Sequence, residues 1–360
     1  MSLKGPHQWR GVIAEYRDWL PVSDETPVIT LREGGTPLVE SGWLSEVTRC
    51  SVWLKVEANN PTGSFKDRGM TMAVSNAAEQ GAKAVVCAST GNTSASMSAY
   101  ATRAGLTPIV LVPQGKIAAG KMAQAVMHGA RIIQVRGGFD ACLQLAQALS
   151  KDYPVSLVNS VNPVRLEGQK TASFEIIDFL GEAPDVHVLP VGNAGNIAAY
   201  WKGFAQYADS GRASRRPALW GFQAEGAAPL VSGTVVRYPE TVATAIRVGN
   251  PASWLLAESA RDESGGVIEA VSDLDILRAQ RDLAVRDGVF VEPASAAGVA
   301  GLLMRAGTGA VDPGQTISVT VTGHGLKDLE TPLSFRDVSV DRVIDADVDQ
   351  AAAAADLIDG

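Results

Sequence analysis

A lysine that follows a tight turn is the first candidate for chemistry in this sequence. It lies in the segment Asn60–Gly69, which reads NPTGSFKDRG. Pro61 and Gly63 predict a turn, and Ser64 predicts a helix N-cap, which places Lys66 in the first helical turn. The helix dipole disfavours a cation there, so the pKa of the amine is lowered, as Schiff-base chemistry requires. The alternative is a surface cluster of charged residues.

Two loops of small residues indicate places where the backbone can approach an anion. Ser89–Ser94, STGNTS, and Gly192–Asn196, GNAGN, each stand between a predicted strand and a predicted helix. Glycines allow close approach, and free amides at a helix start attract phosphate or carboxylate. Asn92 adds a side-chain amide that can contact a ring substituent. Ordinary strand-to-helix turns are the alternative, and GNAGN is not a GxGxxG dinucleotide fingerprint.

Two further strand ends carry polar residues suited to a ligand. Asn159–Arg165 reads NSVNPVR, and Arg165 falls within the first turns of a helix that begins near Pro163. Its forked guanidinium is suited to an oxyanion. Thr322 ends a late strand, and its hydroxyl can hydrogen-bond a neutral ring nitrogen. A helix cap with a surface arginine, and an ordinary strand threonine, are the respective alternatives.

Two other patterns suggest chemistry that the residues do not support. Gly115–Met122 resembles a nucleotide-binding P-loop, but Met122 stands where that motif needs a serine or threonine for magnesium. The histidines lack the spacing of metal ligands, so no metal site is expected at His7, His128, His187 or His324. Structural histidines are the better interpretation.

These segments are positioned by an alternation of short β-branched runs and longer helical patterns. Such alternation predicts a mostly parallel sheet with helices on both faces, with ligands bound beyond the carboxyl ends of the strands. The predicted strands are 84–88, 108–112, 131–135, 155–158, 185–191, 218–223 and 316–322. One predicted helix ends at about residue 104, and the others cover 121–128, 139–151, 163–180 and 197–207. Residues 347–360 are expected to be a frayed helix or disordered.

Composition and charge limit the class of protein. The chain has 360 residues, 46% apolar and 19% charged, which suggests two globular domains with ample core. The formal net charge is -8 and no dense run of lysine and arginine occurs, so no nucleic-acid partner is expected. No apolar run approaches the roughly 20 residues of a membrane helix, and residues 1–10 do not resemble a secretory signal.

Three widely spaced cysteines indicate thiols and not disulfides. Cys50, Cys87 and Cys142 form neither a CxxC pair nor an even set. Since a free cysteine behaves as a small hydrophobic residue, we expect all three to be buried and reduced. A cytoplasmic location is the corresponding expectation.

Taken together, these segments resemble the fold-type II pyridoxal-phosphate enzymes, and among them the threonine synthase family. The lysine segment, STGNTS, GNAGN and the strand-end threonine match that family in order and spacing, and Gly34–Leu38, GGTPL, resembles another of its motifs. The resemblance covers about residues 30–330. Several motifs in order are far more specific than any one of them, and they outweigh the separate alternatives.

The resemblance implies an α/β fold like that of the tryptophan synthase β-subunit. Two doubly wound domains would enclose the cofactor in the cleft between them. The larger, cofactor-binding domain would comprise residues 1–58 and 162–345, the smaller domain 59–161, and the tail 346–360. The family also suggests a homodimer.

The resemblance further implies a role for each candidate residue. Lys66 would carry pyridoxal 5′-phosphate as a Schiff base, Asn92 would hydrogen-bond the ring hydroxyl, and Thr322 would face the pyridine nitrogen. The cofactor phosphate would be held by Gly192, Asn193, Ala194, Gly195 and Asn196. The substrate phosphate would be held by Thr93, Asn159, Ser160, Arg165 and Asn193.

The implied reaction converts O-phospho-L-homoserine and water into L-threonine and phosphate. It proceeds by γ-elimination of phosphate and β-addition of water, with the cofactor as electron sink. Lys66, once freed by the substrate amine, is the expected base for the α-proton and then for a β-proton.

Three other functions compete with this interpretation. A threonine or serine dehydratase on the same fold needs no grip for a second phosphate, whereas Asn159–Arg165 offers one. A non-catalytic cofactor-binding protein should lack polar residues for a substrate, yet Thr93, Ser160 and Arg165 are present. A nucleotide-binding protein is disfavoured by Met122.

Overall fold

The part of the chain that the computed structural model describes comprises residues 7–115, 119–335 and 342–357. Two units can be distinguished, Met1–Lys327 and Asp328–Gly360. The first contains both β-sheets and every residue predicted to take part in the site. In the second, α-helices cover Glu330–Phe335 and Val348–Ala354, and the Asp347 carboxylate caps the latter by accepting from the amides of Asp349 and Gln350.

Strands and α-helices alternate over most of the described residues. The strands are β1 Leu38–Glu40, β2 Ser51–Val56, β3 Ala84–Ala88, β4 Thr107–Pro113, β5 Arg131–Val135, β6 Val155–Leu157, β7 Val186–Pro190, β8 Ala218–Ala224, β9 Val267–Val271 and β10 Thr316–Val321. The helices are α1 Val12–Glu15, α2 Gly42–Thr48, α3 Lys66–Glu79, α4 Asn92–Arg103, α5 Ala119–Met127, α6 Phe139–Asp152, α7 Val164–Gln169, α8 Thr171–Leu180, α9 Gly195–Asp209, α10 Pro229–Ser232, α11 Trp254–Glu263, α12 Asp273–Asp287, α13 Pro293–Gly307, α14 Glu330–Phe335 and α15 Val348–Ala354.

The larger sheet has six strands in the order β1-β2-β10-β7-β8-β9. Its neighbours pair in parallel, except β1, which is antiparallel to β2. Strand β10 lies in the middle, where Val321 pairs with Val56 of β2 and Val319 pairs with Val188 of β7. The carboxyl ends of β2, β10 and β7 therefore lie side by side, and the segments that follow them meet at one edge of the sheet.

The smaller sheet has four parallel strands in the order β5-β4-β3-β6. Strands β3 and β6 are neighbours, with Val86 paired to Leu157. The loop of Ser89–Ser94 and the segment that begins at Asn159 leave these two strands at the same end. Adjacent strand ends thus bring together two of the predicted binding segments.

Helices cover both faces of the two sheets, which explains why the central strands β7 and β10 are buried along almost their whole length. On one face of the larger sheet the alanine-rich α13 contributes Ala296 and Ala300 to a core with Leu54 and Phe222. On its other face α8 and α9 form a second core that includes Phe174. The smaller sheet likewise has a buried apolar cluster on each side. These helices on both faces of the sheets confirm the predicted α/β class.

The predicted strands are confirmed, with ends that shift by a residue or so. The single helix predicted over 163–180 is wrong, because two helices are separated there at Lys170. The hydroxyl of Thr171 donates to the carbonyl of Gly168, and that of Ser173 donates to the carbonyl of Lys170, each at 2.6 Å. Such side-chain bonds to preceding carbonyls compete with the regular ladder and interrupt it.

Met122, the three cysteines and His187, which the sequence analysis singled out, are all buried. Residues 116–118 of the P-loop-like stretch lie outside the described residues, while Met122 is buried in a core of the smaller sheet. The three cysteines are buried and free, as predicted, and burial raises the pKa of the Cys87 thiol to about 12. Burial lowers the pKa of His187 to about 3, in keeping with a structural role. No helix among the described residues combines the length and apolarity needed to cross a bilayer.

Candidate active site

The turn that carries Lys66 is attached to the middle of the larger sheet by main-chain hydrogen bonds. The amide of Phe65 donates to the carbonyl of Thr322 at 2.9 Å, and the amide of His324 donates to the carbonyl of Gly63 at 2.9 Å. Ser64 and Gly323 form the antiparallel bridge between these contacts. Lys66 therefore starts α3 directly beside the carboxyl end of β10.

The predicted N-cap at Ser64 is wrong, although Lys66 does lie in the first turn of the helix. The helix begins at Lys66 without a side-chain cap, because Ser64 is held extended in the bridge to Gly323. Asp67 instead accepts from the amide and the hydroxyl of Thr62, at 2.7 and 2.6 Å. The Ser64 hydroxyl is left buried with no hydrogen-bond partner among the described residues.

The amine of Lys66 is disposed to lose its proton. Burial, together with the nearby guanidinium of Arg165, lowers its pKa to about 7, while the Glu292 carboxylate acts in the opposite direction. The amine lies 4.2 Å from the centre of the Phe65 ring. A neutral amine at ordinary pH is the form that attacks a carbonyl carbon or removes a proton.

A buried ion network fixes α3 two residues beyond Lys66. The Arg68 guanidinium contacts Glu57 at 2.7 Å and Glu175 at 2.6 Å, and Lys55 contacts Glu175 at 2.7 Å. All four side chains are almost completely buried. The two cations lower the pKa of Glu175 to about 2, against its desolvation. Because buried charges need such complementary partners, the network fixes the start of the helix in one position.

The GNAGN loop forms an anion cradle at the end of β7. Ala194 has a left-handed backbone with φ of 66°, unusual for a residue other than glycine, and the fifteen-residue helix α9 begins at Gly195. At Gly192 a side chain is excluded, because a Cβ would lie 2.9 Å from the Cα of Ile246. Both side-chain polar atoms of Asn196 are buried without a hydrogen-bond partner in the described residues. Strained backbone and unsatisfied groups at a helix start are typical of an anion site.

A carboxylate occupies the other side of the site, next to Asn92. Asn92 is the first residue of α4, and its Nδ2 donates to the two carboxylate oxygens of Glu292 at 2.9 and 3.2 Å. Glu292 is 6% exposed and precedes Pro293 at the start of α13. The sequence prediction included Asn92 but missed this partner.

Thr322 is held by a serine that the sequence prediction also missed. Its Oγ1 lies 2.9 Å from Oγ of Ser295, and the amides of Thr322 and Gly323 donate to the same serine oxygen at 3.1 and 2.7 Å. Thr322 and Ser295 are both buried. The threonine hydroxyl is thus fixed at the carboxyl end of β10.

Two of the residues predicted to bind the substrate phosphate are in direct contact, and a third, Arg165, is buried near Lys66. Asn193 donates through Nδ2 to the hydroxyl of Ser160, which joins the GNAGN loop to the segment after β6. Arg165 is 1% exposed, donates from Nη1 to the carbonyl of Val158 at 3.2 Å, and has a buried Nε without a partner in the described residues. Burial lowers its pKa to about 10, which still leaves it cationic at neutral pH.

The other two residues predicted to bind the substrate phosphate are Asn159 and Thr93. Asn159 exchanges hydrogen bonds with the backbone of Ala88, accepting at 2.9 Å and donating at 3.1 Å, so it ties β6 to the end of β3. Thr93 lies in the first turn of α4 beside Asn92. Asn159 thereby supports the loop that carries Thr93.

Lys327 is a further charged residue at the site that the sequence prediction missed. Its amine donates to the carbonyl of Thr62 at 2.9 Å and to the side chain of Gln124. Burial lowers its pKa, while Glu292 and Asp67 act to raise it. For the neighbouring Glu292 the signal in the sequence was an acidic residue before a proline in the apolar run VFVEPASAAG, where burial of the charge can be expected.

Comparison with known proteins adds an independent line of evidence. The family described as pyridoxal-phosphate dependent enzyme matches residues 29–323. A threonine synthase of Mycobacterium tuberculosis is 62% identical over 329 residues, which cover 91% of this chain and 91% of that protein. A threonine synthase of Halalkalibacterium halodurans is 53% identical over 332 residues, covering 92% and 94%. One of Methanocaldococcus jannaschii is 49% identical over 323 residues, covering 87% and 80%.

Solved structures with similar folds are more distant in sequence. Maize serine racemase matches with a TM-score of 0.72 and 22% identity over 83% of this chain and 91% of that chain. Threonine deaminase isoform 2 of Solanum lycopersicum matches with a TM-score of 0.71 and 20% identity over 84% and 81%. At such low identity these structures establish the fold, and they confirm the predicted architecture.

Proposed function

Because the chain belongs to the pyridoxal-phosphate dependent enzymes, and within them to the threonine synthases, we propose that it converts O-phospho-L-homoserine and water into L-threonine and phosphate. It is a pyridoxal-phosphate-dependent lyase. The observation that carries the substrate assignment is the buried guanidinium of Arg165, whose Nε has no partner in the described residues and which lies on a segment other than the GNAGN loop. One anion site serves the cofactor, and the other serves a phosphorylated substrate.

The residues at the site fit pyridoxal phosphate. The Lys66 amine, with its lowered pKa, can form the Schiff base. The cradle formed by Gly192, Asn193, Ala194, Gly195 and Asn196 would take the phosphate, and the unpartnered groups of Asn196 and Ser64 are buried polar atoms in need of a partner. Asn92 would serve the ring hydroxyl, and Thr322, fixed by Ser295, the ring nitrogen. A neutral hydroxyl is suited to an uncharged pyridine nitrogen.

We propose that the substrate phosphate is bound by Thr93, Asn159, Ser160, Arg165 and Asn193. Arg165 supplies the positive charge, and its Nε is a buried donor that a phosphate oxygen would satisfy. Ser160 and Asn193 are already in contact with each other. Asn159 contributes mainly by holding the strand end that leads to Thr93.

In the reaction the chain itself supplies binding, orientation and proton transfer. The bound cofactor provides the electron sink for negative charge at the substrate carbon. Lys66, freed when the substrate amine takes its place, removes the α-proton at Nζ and then a β-proton, and a pKa near 7 suits it to both accept and return protons. The guanidinium of Arg165 would hold the phosphate as it leaves Cγ. Cγ then takes up a proton to become the methyl group, water adds at Cβ, and a proton returns to the α-carbon before threonine is released.

A dehydratase is the second candidate, since threonine deaminases share the fold. That reaction acts on substrates without a phosphate, so the cluster of Arg165, Ser160 and Asn193 would have no ligand. The curated relatives at 49–62% identity are threonine synthases, which favours the first candidate.

The decisive experiment supplies O-phosphohomoserine or threonine to the purified enzyme and identifies the products. We expect equimolar phosphate and threonine from the first substrate, and little 2-oxobutyrate from the second. Lys66→Ala should abolish turnover, and borohydride reduction with peptide mapping should place the cofactor on Lys66 in the unsubstituted enzyme only. A label on another residue, or 2-oxobutyrate as the main product, would contradict the proposal.

We propose further that residues 1–58 with 162–345 and residues 59–161 are the two domains on either side of the cofactor. The two sheets support this division, since β3 to β6 fall within 59–161 and the other strands outside it. A cytoplasmic homodimer completes the proposal, and the three buried free thiols favour a reducing compartment. Light scattering on the purified protein tests the dimer, and a monomer mass would contradict it.

A further inference from the structure

Glu292 is a buried carboxylate to which the proposed reaction assigns no role. It precedes the first turn of α13 and its main-chain amide donates to the carbonyl of Gly323 at 3.0 Å. It therefore belongs to the same strand-end framework as Thr322 and the Lys66 turn. A carboxylate 6% exposed at this place costs desolvation energy, which its hydrogen-bond and charge partners must offset.

Asn92 reaches Glu292 from the other sheet. It follows β3 of the smaller sheet, whereas Glu292 precedes a helix of the larger one. An ionised carboxylate can only accept hydrogen bonds, so it requires the Nδ2 group of Asn92, and not Oδ1, on its side. The two contacts at 2.9 and 3.2 Å thus fix which way the amide is turned.

We propose that Glu292 is a positioning residue that acts through Asn92, holding the amide so that its second N–H faces the oxygen of the cofactor ring. This inference rests on the proposed function, in which Asn92 is the partner of that oxygen. An N–H directed at the oxygen stabilises its ionised form, whereas a carbonyl there would favour the protonated form. Glu292 thereby sets the protonation of a cofactor group that it does not touch.

The surroundings of the carboxylate agree with a fixed position. A Cβ at Gly323 would overlap Oε1 of Glu292, so the bridge segment is shaped to admit the carboxylate. Its negative charge also raises the pKa values of Lys66 and Lys327, against the effect of burial. Glu292 thus places a negative charge near these two amines and accepts hydrogen bonds from Asn92.

Glu292→Gln is the direct test, because a glutamine amide both donates and accepts and therefore permits Asn92 to turn over. We expect the cofactor dissociation constant of the apoenzyme to rise about five- to tenfold, in the range of one ordinary hydrogen bond. We also expect the ratio of the two absorption bands of the bound cofactor to shift toward the form with a protonated ring oxygen. The matched control is Glu269→Gln on β9, which replaces a carboxylate paired with Arg305 of α13. It should alter neither the dissociation constant nor the ratio of the absorption bands.

A double-variant comparison separates positioning from a general structural effect. If Glu292 acts through Asn92, Glu292→Gln should add little to the loss caused by Asn92→Ala, in affinity and in spectrum. Full additivity would overturn the inference, as would a Glu292→Gln enzyme with unchanged affinity and spectrum. Thermal unfolding of each apoenzyme reports whether the variants fold.

Gly323→Ala provides a second approach should Glu292→Gln fold poorly. It keeps the carboxylate and displaces it, and we expect the same spectral shift; a native spectrum in Gly323→Ala would count against the inference. Borohydride labelling of Lys66 in the unsubstituted enzyme is measured alongside. Absence of that label defeats the proposed function itself, whereas a labelled Lys66 with no spectral response to either variant defeats only the role of Glu292.

Discussion

At the scale of single residues, the amine of Lys66 gains its reactivity from burial and from the charges around it. Burial and Arg165 lower its pKa to about 7, and Glu292 limits the effect. Because the same environment acts on the folded protein before any cofactor is bound, the lowered pKa is also a cost to the stability of the apoenzyme.

Lys66→Met should stabilise the apoenzyme in a pH-dependent manner. The pKa is about 7 in the folded state and near the ordinary 10.5 in the unfolded state, so the unfolded chain binds more protons between these values. The destabilisation that Lys66 causes in the unsubstituted apoenzyme therefore decreases as the pH increases from 7 to 10.5. The gain from methionine should be largest below pH 7 and vanish near pH 10.5.

Melting temperatures of the two apoenzymes between pH 6 and pH 10 measure this effect. Lys151→Met, at the exposed end of α6, serves as control and should show no such trend. A gain that is constant over this pH range would mean that the pKa of Lys66 is not lowered.

Sequence patterns revealed the residues of the site better than their partners. Lys66, Asn92, Arg165 and Thr322 belong to short segments after strands, where the fold class itself places ligands. Glu292 and Ser295 were missed because an acidic residue followed by proline is usual at exposed helix starts as well. The prediction of a cap at Ser64 was wrong for a related reason, because Gly323, with which Ser64 forms a bridge, is remote in sequence.

At the scale of elements, the close packing of α3 on α7 joins the Lys66 turn to the proposed phosphate site. A Cβ at Gly168 of α7 would overlap the main-chain carbonyl of Arg68 in α3. Arg165 lies on the same short helix, one turn earlier. The absence of a side chain at Gly168 therefore sets the distance between Arg165 and Lys66.

Gly168→Ala should destabilise the protein by about 1–3 kcal/mol, the usual cost of overpacking, despite the better helix propensity of alanine. It should also raise KM for the phosphorylated substrate, because α7 carries Arg165. Gly307→Ala, in the last turn of α13 with open space around the added methyl group, is the control and should be neutral or stabilising. Urea unfolding and steady-state kinetics provide the measurements, and equal effects of the two substitutions would contradict the packing argument.

Elements were predicted well where hydrophobic pattern and turn residues agreed. The bounds of β3, β5 and α6 agree with the prediction to within a residue, since glycines or prolines flank them. The break at Lys170 was not predicted, because no proline marks it in the sequence. It depends on the hydroxyl groups of Thr171 and Ser173, whose bonding to the backbone only the folded chain reveals.

At the scale of the whole molecule, two separate anion sites should give two separate responses to ligands. A ligand that binds only the folded state adds about 2.7 kcal/mol of stability at a concentration of 100 times its dissociation constant. We expect pyridoxal phosphate to raise the melting temperature of the apoenzyme. Inorganic phosphate should raise that of the holoenzyme further, by occupying the cluster around Arg165.

Arg165→Gln should remove the response of the holoenzyme to phosphate and retain the response of the apoenzyme to the cofactor. Differential scanning fluorimetry at constant ionic strength, with chloride as control anion, makes the measurement. Loss of both responses together would indicate a single shared site, contrary to the proposal.

The attachment of the Lys66 turn through main-chain atoms has a consequence for natural variation. The bonds of Phe65 to Thr322 and of His324 to Gly63 use amides and carbonyls that every residue except proline provides. The side chains of these four residues can therefore vary between homologues while the amine of Lys66 stays in the same position. Among substitutions at Phe65 and His324, proline is the one that selection should exclude most strictly, because it removes the amide donor.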